Sequence, residues 1–217
     1  PESLRKDPLS RKEAIHSADV VFLCLPDAAA KEAVELAGDA KAKIIDTSPA
    51  HRTNPLWAYG FAELSAAHRE RIANSKRIAN PGCHASGFIA SVYPLVANGV
   101  IPADFPLTSY SLTGYSGGGK SLIAEYEDEN RDIRHESHRI YGLNLQHKHL
   151  PEMQRVAGLA AAPAFCPIVG DFYSGMEVTV PIFLGYFGIN KEKIAEIYKE
   201  YYKTGTVHFD ENVTESG

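Results

Sequence analysis

Cys83 stands in the run NPGCHASGF, where Pro81 and Gly82 impose a turn and the residues that follow read as an apolar helix. A thiol at the start of a helix lies against unpaired N–H groups and the positive end of the helix dipole, both of which favour thiolate, the reactive form. The same N–H groups can receive the oxyanion that develops when sulfur attacks a carbonyl. A free cysteine is also commonly just a small buried apolar residue, and Cys24 in VVFLCLP and Cys166 in AFCPIVG are read that way. A thiol nucleophile calls for a partner that handles protons, and LQHKHLPEM supplies His147 and His149 around Lys148, with Glu152 just beyond. In an extended segment positions 147 and 149 face the same side, which makes an HxH metal pair a rival. No third ligand accompanies it, so no metal is expected. The plain alternative is a polar loop entering the helix PEMQRVAG, whose Pro151 suits a first turn.

Two further segments carry anion-binding residue types. TGYSGGGKS clusters Ser116, Gly117 and Gly118 just before Lys120, and exposed backbone N–H groups beside a cation suit an anion. Its spacing is not the GxxxxGK[ST] of an ATP-binding loop, and a surface turn is the plain alternative. DTSPAHR ends in Arg52, a fork of donors that matches carboxylate or phosphate, although a lone arginine is usually solvated. His135 and His138 sit in the charged stretch RHESHR and are read as solvated.

The elements that must position these residues alternate over the first 80 positions. Ser10 caps the helix RKEAIHSA, and DVVFLCLP follows as an apolar run of the kind that forms a strand buried on both faces. Asp27 then opens AAAKEAVELAG, which Gly38 stops, and KIIDTS is the next strand. Strands alternating with helices predict a Rossmann-type parallel sheet with ligands at the strands' carboxyl ends, here Pro26 and Asp46 to Ser48. No GxGxxG turn precedes DVVFLCLP, so this sheet is expected to be incomplete, and both chain ends read as arbitrary. From Cys83 onward LTSYSLTGYS and MEVTVPIFLGYFG read as strands of an α+β domain with mainly antiparallel sheet. The expected division is 1–82 and 83–217.

Composition narrows the partners. Apolar residues at 44% and charged residues at 23% describe an ordinary globular chain of 217 residues. A net charge of −5 without a basic stripe argues against nucleic acid. No apolar run reaches the roughly 18 residues a membrane span needs, and PESLRKDPLS lacks a signal-peptide core. Three widely spaced cysteines fit a reducing compartment, the cytoplasm.

NPGC with Gly87 four residues on, TGYSGGGKSLIAEYE, HKHLPEM and DTSPAHR together resemble the shorter type of N-acetyl-gamma-glutamyl-phosphate reductase, as do LCLPDAAAKEAV and WAYGFAEL. The resemblance implies a semialdehyde dehydrogenase-like enzyme of arginine biosynthesis. It would reduce a small acyl phosphate with NADP(H) through a thioacyl intermediate, as a dimer or tetramer. Carried over, Cys83 is the nucleophile and His147 the acid/base. Arg52, His149, Glu152, Ser116 and Lys120 fall near the substrate, and Pro26, Ser48, Ser86, Gly87, Gly117 and Gly118 near the cofactor. His84 and Ser86 depart from the family's usual aromatic residue and threonine after the cysteine. An aspartyl-phosphate reductase shares the thioester logic, but HKHLPEM argues against it. A cysteine hydrolase or a non-catalytic nucleotide-binding module are the readings from other classes.

Overall fold

In a computed structural model the chain forms two compact units that divide between Gly82 and Cys83, with Thr204–Val207 belonging to the first. The structure describes residues 2–4 and 6–213. Among these residues no helix is long and apolar enough to cross a membrane.

The first unit holds α1 (Pro8–Ser17), β1 (Val20–Leu23), α2 (Asp27–Ala37), β2 (Lys43–Asp46), β3 (Ala58–Tyr59), α3 (Ala66–Asn74) and β4 (Arg77–Ala79). Its strands pair in the order β1-β2-β4-β3, all parallel, with Leu23 opposite Asp46 and Asp46 opposite Ala79. This is the parallel sheet that the alternation predicts. Helix α1 starts earlier than the reading from Ser10: Asp7 is its cap and accepts from the Ser10 N–H at 2.7 Å, because Pro8 pre-sets the first-turn backbone. Ser10 therefore lies inside the helix. Helix α2 ends at Gly38, whose φ of 46° suits a residue without a Cβ. The core under the sheet gathers Ile15, Leu23, Ala33, Ala37, Ile44, Trp57 and Ala79.

Strand β1 departs from the expectation of burial on both faces. Among the described residues it is an edge strand, Val20 and Phe22 are exposed, Phe22 at 65%, and Cys24 is exposed rather than core. One face of the run packs on the core through Leu23, and the period-2 alternation of a strand turns its neighbours outward.

The second unit holds α4 (Cys83–Ala97), β5 (Thr108–Gly114), α5 (Gly119–Glu127), β6 (Arg139–Ile140), α6 (Leu150–Ala157), β7 (Ala164–Gly170), β8 (Met176–Thr179) and α7 (Lys191–Tyr201). The sheet order is β6-β7-β5-β8. Both outer pairings are antiparallel, as the sequence suggests, whereas the central β5·β7 pair is parallel over all seven residues of each strand. The sheet is therefore mixed. Only Met176–Thr179 of MEVTVPIFLGYFG is a strand, since Pro181 brings no N–H to a ladder and Leu184–Phe187 coil into a 3-10 turn.

Helix α4, which begins at Cys83, contains Pro94, which cannot donate to the carbonyl four residues back. That carbonyl belongs to Ala90, and the Tyr202 hydroxyl donates to it at 2.7 Å. The Tyr198 hydroxyl donates to the next carbonyl, that of Ser91. The Tyr202 hydroxyl thus stands in for the missing donor, and α4 continues for 15 residues.

Candidate active site

Cys83 is the first helical residue of α4 and is exposed. The turn NPG delivers it there, so its sulfur sits where the first N–H groups of a long helix have no partner within the helix. The next residue, His84, points inward and is 3% exposed. Its Nδ1 lies 2.6 Å from Ser111 Oγ on β5, and its Nε2 lies 2.5 Å from the Tyr141 hydroxyl. Ser111 Oγ also donates to the Glu177 carbonyl at 3.2 Å, which commits the serine proton. His84 Nδ1 is then the donor to Ser111, and Nε2 accepts from Tyr141.

Burial, followed by the nearby His147 and Lys148, depresses His84 to about 4, so it is neutral at pH 7 and keeps this donor–acceptor pattern. Burial, then the proximity of Cys83, pushes the Tyr141 hydroxyl up to about 12, so it too remains protonated.

His147 and His149 lie beside this chain of bonds. The His147 ring centroid is 5.4 Å from that of His84, 4.8 Å from that of His149 and 5.1 Å from that of Phe165. The segment is a turn, not an extended strand: Leu150 N–H donates to the His147 carbonyl at 3.0 Å. The two histidines meet by that turn. Burial and then Lys148 lower the His147 pKa. His149 caps α6 and is buried, and Glu152, buried in the helix's first turn, sits where the dipole favours a carboxylate. His147 also lines a cavity of about 270 Å³ whose other walls include Leu145, Leu150, Phe165 and Cys166. Cys166 is half-buried. Among the described residues no group of three or more His, Cys, Asp and Glu side chains is arranged to hold a metal.

The glycine segment is built differently from an anion nest. Tyr115 and Ser116 donate their N–H groups to the carbonyls of Phe172 and Tyr173, both at 2.9 Å. A Cβ on Gly114 would come within 2.8 Å of three backbone atoms of that neighbouring loop. The cluster is therefore partly a packing device. Gly117 and Gly118 lie exposed in a 3-10 turn, and Lys120 is exposed in the first turn of α5. Gly87 has a packing reason as well, since its Cβ would stand 2.5 Å from Val178 Cγ2. Ser86 is half-buried one turn into α4.

In the first unit, Arg52 donates from Nε to the Asn80 carbonyl and from Nη2 to the Thr47 carbonyl, both at 2.9 Å. It ties two strand ends together. Ser48 caps a short 3-10 turn, and its hydroxyl donates to Asp46 Oδ2 at 2.8 Å. His51 Nδ1 reaches the same oxygen at 2.6 Å, and its ring stacks on Trp57 at 4.1 Å. Pro26 lies exposed at the N-cap of α2. Sequence reasoning missed Asp46, His51 and Trp57 as a group, and Ser111 and Tyr141 around His84. It also read His135 as solvated, yet that side chain is buried against Tyr126 at a centroid distance of 4.7 Å.

Residues 2–74 match the NAD binding domain of semialdehyde dehydrogenases, and residues 83–211 match the dimerisation domain of the same family. The chain belongs to the semialdehyde dehydrogenase family. It is 47% identical over 182 residues to N-acetyl-gamma-glutamyl-phosphate reductase 2 of Pseudomonas putida, covering 84% of this chain and 58% of that one. It is 50% identical over 186 residues to the N-acetyl-gamma-glutamyl-phosphate reductase of Brucella ovis, covering 85% of this chain and 60% of that one. The chain thus spans a little under two thirds of these relatives. Among solved structures it resembles aspartate semialdehyde dehydrogenase II of Vibrio cholerae, with a TM-score of 0.64 at 13% identity, covering 86% of this chain and 61% of that one. It also resembles the Candida albicans aspartate semialdehyde dehydrogenase solved with NADP, with a TM-score of 0.59 at 15% identity over 85% of this chain and 56% of that one. These likenesses establish the fold of this semialdehyde dehydrogenase chain.

Proposed function

We propose that the full-length protein reduces N-acetyl-gamma-glutamyl phosphate to N-acetylglutamate semialdehyde and phosphate, with NADPH as reductant, in arginine biosynthesis in the cytoplasm. The observation that carries the reading is Cys83, exposed at the first turn of α4, whose chain neighbour His84 packs against the rings of His147 and His149. The relatives at 47% and 50% identity bear this enzyme's name. Three free cysteines agree with a reducing compartment.

The thiolate of Cys83 forms a bond to the acyl carbon as the bond to the phosphate oxygen breaks, leaving a thioester. The cavity that His147 lines is the candidate for the acyl chain, and Lys120 and Ser116 are the candidates for the phosphate. In the first unit the carboxyl ends of β1 and β2 lie side by side, with Leu25 and Pro26 exposed beside Thr47 and Ser48. That open ledge fits the ring surface of a nucleotide, while Asp27 in the first turn of α2 disfavours a phosphate at that helix end. When bound, the nicotinamide cofactor would supply the hydride that the thioester carbon accepts. The match to a dimerisation domain supports a homo-oligomer.

The test is the reverse reaction, NADPH formation from NADP with N-acetylglutamate semialdehyde, with and without phosphate. Activity that requires phosphate and falls on the order of a thousandfold or more in Cys83→Ser is expected. A Cys83→Ser protein as active as wild type would remove the assignment.

A further inference from the structure

We infer that His84 is a positioning residue for the Cys83 thiol: it holds the proton of the Tyr141 hydroxyl, so that this phenol does not donate a hydrogen bond to the sulfur. The inference deepens the reading above and rests on it only for the role of Cys83.

His84 stands in a chain of bonds, one end of which cannot donate. Ser111 Oγ lies 3.2 Å from the Glu177 carbonyl, His84 Nδ1 lies 2.6 Å from Ser111 Oγ, and His84 Nε2 lies 2.5 Å from the Tyr141 hydroxyl. A carbonyl only accepts, so the serine proton goes to Glu177, the ring proton sits on Nδ1 and points at the serine, and Nε2 offers its lone pair to the phenol. The opposite polarity, with Ser111 donating to Nδ1 and Nε2–H donating to Tyr141, makes two of these bonds and leaves the third unmade. Buried polar groups take the arrangement that satisfies the most of them, and His84 is 3% exposed.

The heavy atoms of this chain are fixed by their elements. His84 lies in the first turn of α4, Ser111 lies on β5, and β8 brings the Glu177 carbonyl through the pairing of Ser111 with Val178. The Tyr141 N–H donates to the Pro167 carbonyl at 3.0 Å. The rings of His147, His149 and Phe165 pack around the imidazole at centroid distances of 5.3 to 5.5 Å. The phenol proton is what remains free to choose a direction, and Nε2 takes it. Burial, followed by the nearby His147 and Lys148, keeps the ring neutral, so the lone pair is there to offer. The strands add no charge to this group: Ser111 is neutral, and the exposed Glu177 carboxylate accepts from Thr179 instead.

Tyr141 is near enough to Cys83 for the charge of the sulfur to act on it. That charge, added to burial, pushes the phenol up to about 12, so the hydroxyl keeps its proton. A protonated phenol beside a thiolate ordinarily donates to it, and such a bond lowers both the thiol pKa and the nucleophilicity of the sulfur. With the proton on Nε2, the thiolate is left to the N–H groups at the start of α4.

Two measurements on the full-length protein test this without turnover. In wild type with ¹⁵N-labelled histidine at pH 7.5, His84 is expected to carry its proton on Nδ1 and none on Nε2. Alkylation by iodoacetamide is then followed against pH on the peptide containing Cys83. His84→Phe releases the phenol proton, and its midpoint is expected to fall by about half a pH unit or more. In the Tyr141→Phe background the same substitution should move the midpoint by no more than about 0.2 unit. A proton on Nε2 of His84 overturns the inference, as does a His84→Phe midpoint at or above that of wild type, or a fall that persists in the Tyr141→Phe background. If His84→Phe does not fold, the wild-type tautomer decides alone. A full-length protein without reductase activity would remove the proposed reaction and leave these results standing, and failure of these results would leave the reaction standing.

Discussion

Each unit holds a buried imidazole in a hydrogen-bonded cluster, His51 in the first and His84 in the second, and the two have opposite electrical surroundings. His51 faces a carboxylate: Asp46 is 0% exposed and accepts from the Ser48 N–H, the Ser48 hydroxyl and the His51 ring. His84 is hydrogen-bonded only to neutral groups, Ser111 and Tyr141, and burial, followed by the nearby His147 and Lys148, disfavours its charged form. A buried carboxylate must be compensated by every donor it can find, which makes the first cluster a fastening for the loop 46–52. A buried neutral imidazole needs only one donor and one acceptor, and it can sit next to the Cys83 thiol without adding charge there. The difference distinguishes a fastening from the candidate site more clearly than residue type does.

The comparison is broken most forcefully at Asp46. Asp46→Ala leaves the Ser48 and His51 donors buried without their acceptor, and the expected loss is about 3–5 kcal/mol in thermal or urea unfolding. A loss below about 1 kcal/mol would mean that the carboxylate is not the fastening.

The second effect is smaller and depends on pH. His84 titrates near 4 in the folded chain, below its ordinary value of 6.5, so between those values the unfolded chain binds more protons. Its contribution is full above about pH 6.5 and is lost as pH falls toward 4, up to about 3 kcal/mol in all. His84→Phe should flatten this acid limb of a stability-against-pH curve; an unchanged limb would place the acid sensitivity elsewhere.

The smallest expected effect has the opposite sign. Ser109 Oγ is buried with no hydrogen-bond partner, so Ser109→Ala should stabilise by about 1 kcal/mol or less, read as a raised Tm. Destabilisation by Ser109→Ala would show that the hydroxyl is satisfied in solution.

Much of this was legible in the sequence. Periodicity and punctuation placed α2 between Asp27 and Gly38, and the NPG turn placed Cys83 at a helix start. The short apolar strands and their intervening helices carried the parallel sheet. What escaped has a physical reason in each case. Strand β7 contains Pro167, which argues against a strand from local chemistry alone, yet it pairs along its whole length with β5. β1 is uniformly apolar, so its sequence does not say which face stays open. Tyr141 meets His84 across 57 residues of sequence, and Ser111 meets it across 27, separations at which no local pattern carries a signal. Gly87 and Gly114 were visible as glycines, but whether a glycine makes room for a ligand or for Val178 is decided only by what packs against it.

The central claim is that acyl groups are carried on Cys83, and it can be tested without turnover. The full-length protein is mixed with N-acetyl-gamma-glutamyl phosphate with nicotinamide cofactor omitted, quenched in acid, digested and weighed by mass spectrometry. A single N-acetylglutamyl addition on the peptide containing Cys83, removable by hydroxylamine, is the predicted result. A folded, active protein that carries no adduct, or carries it on Cys24 or Cys166, would contradict the account.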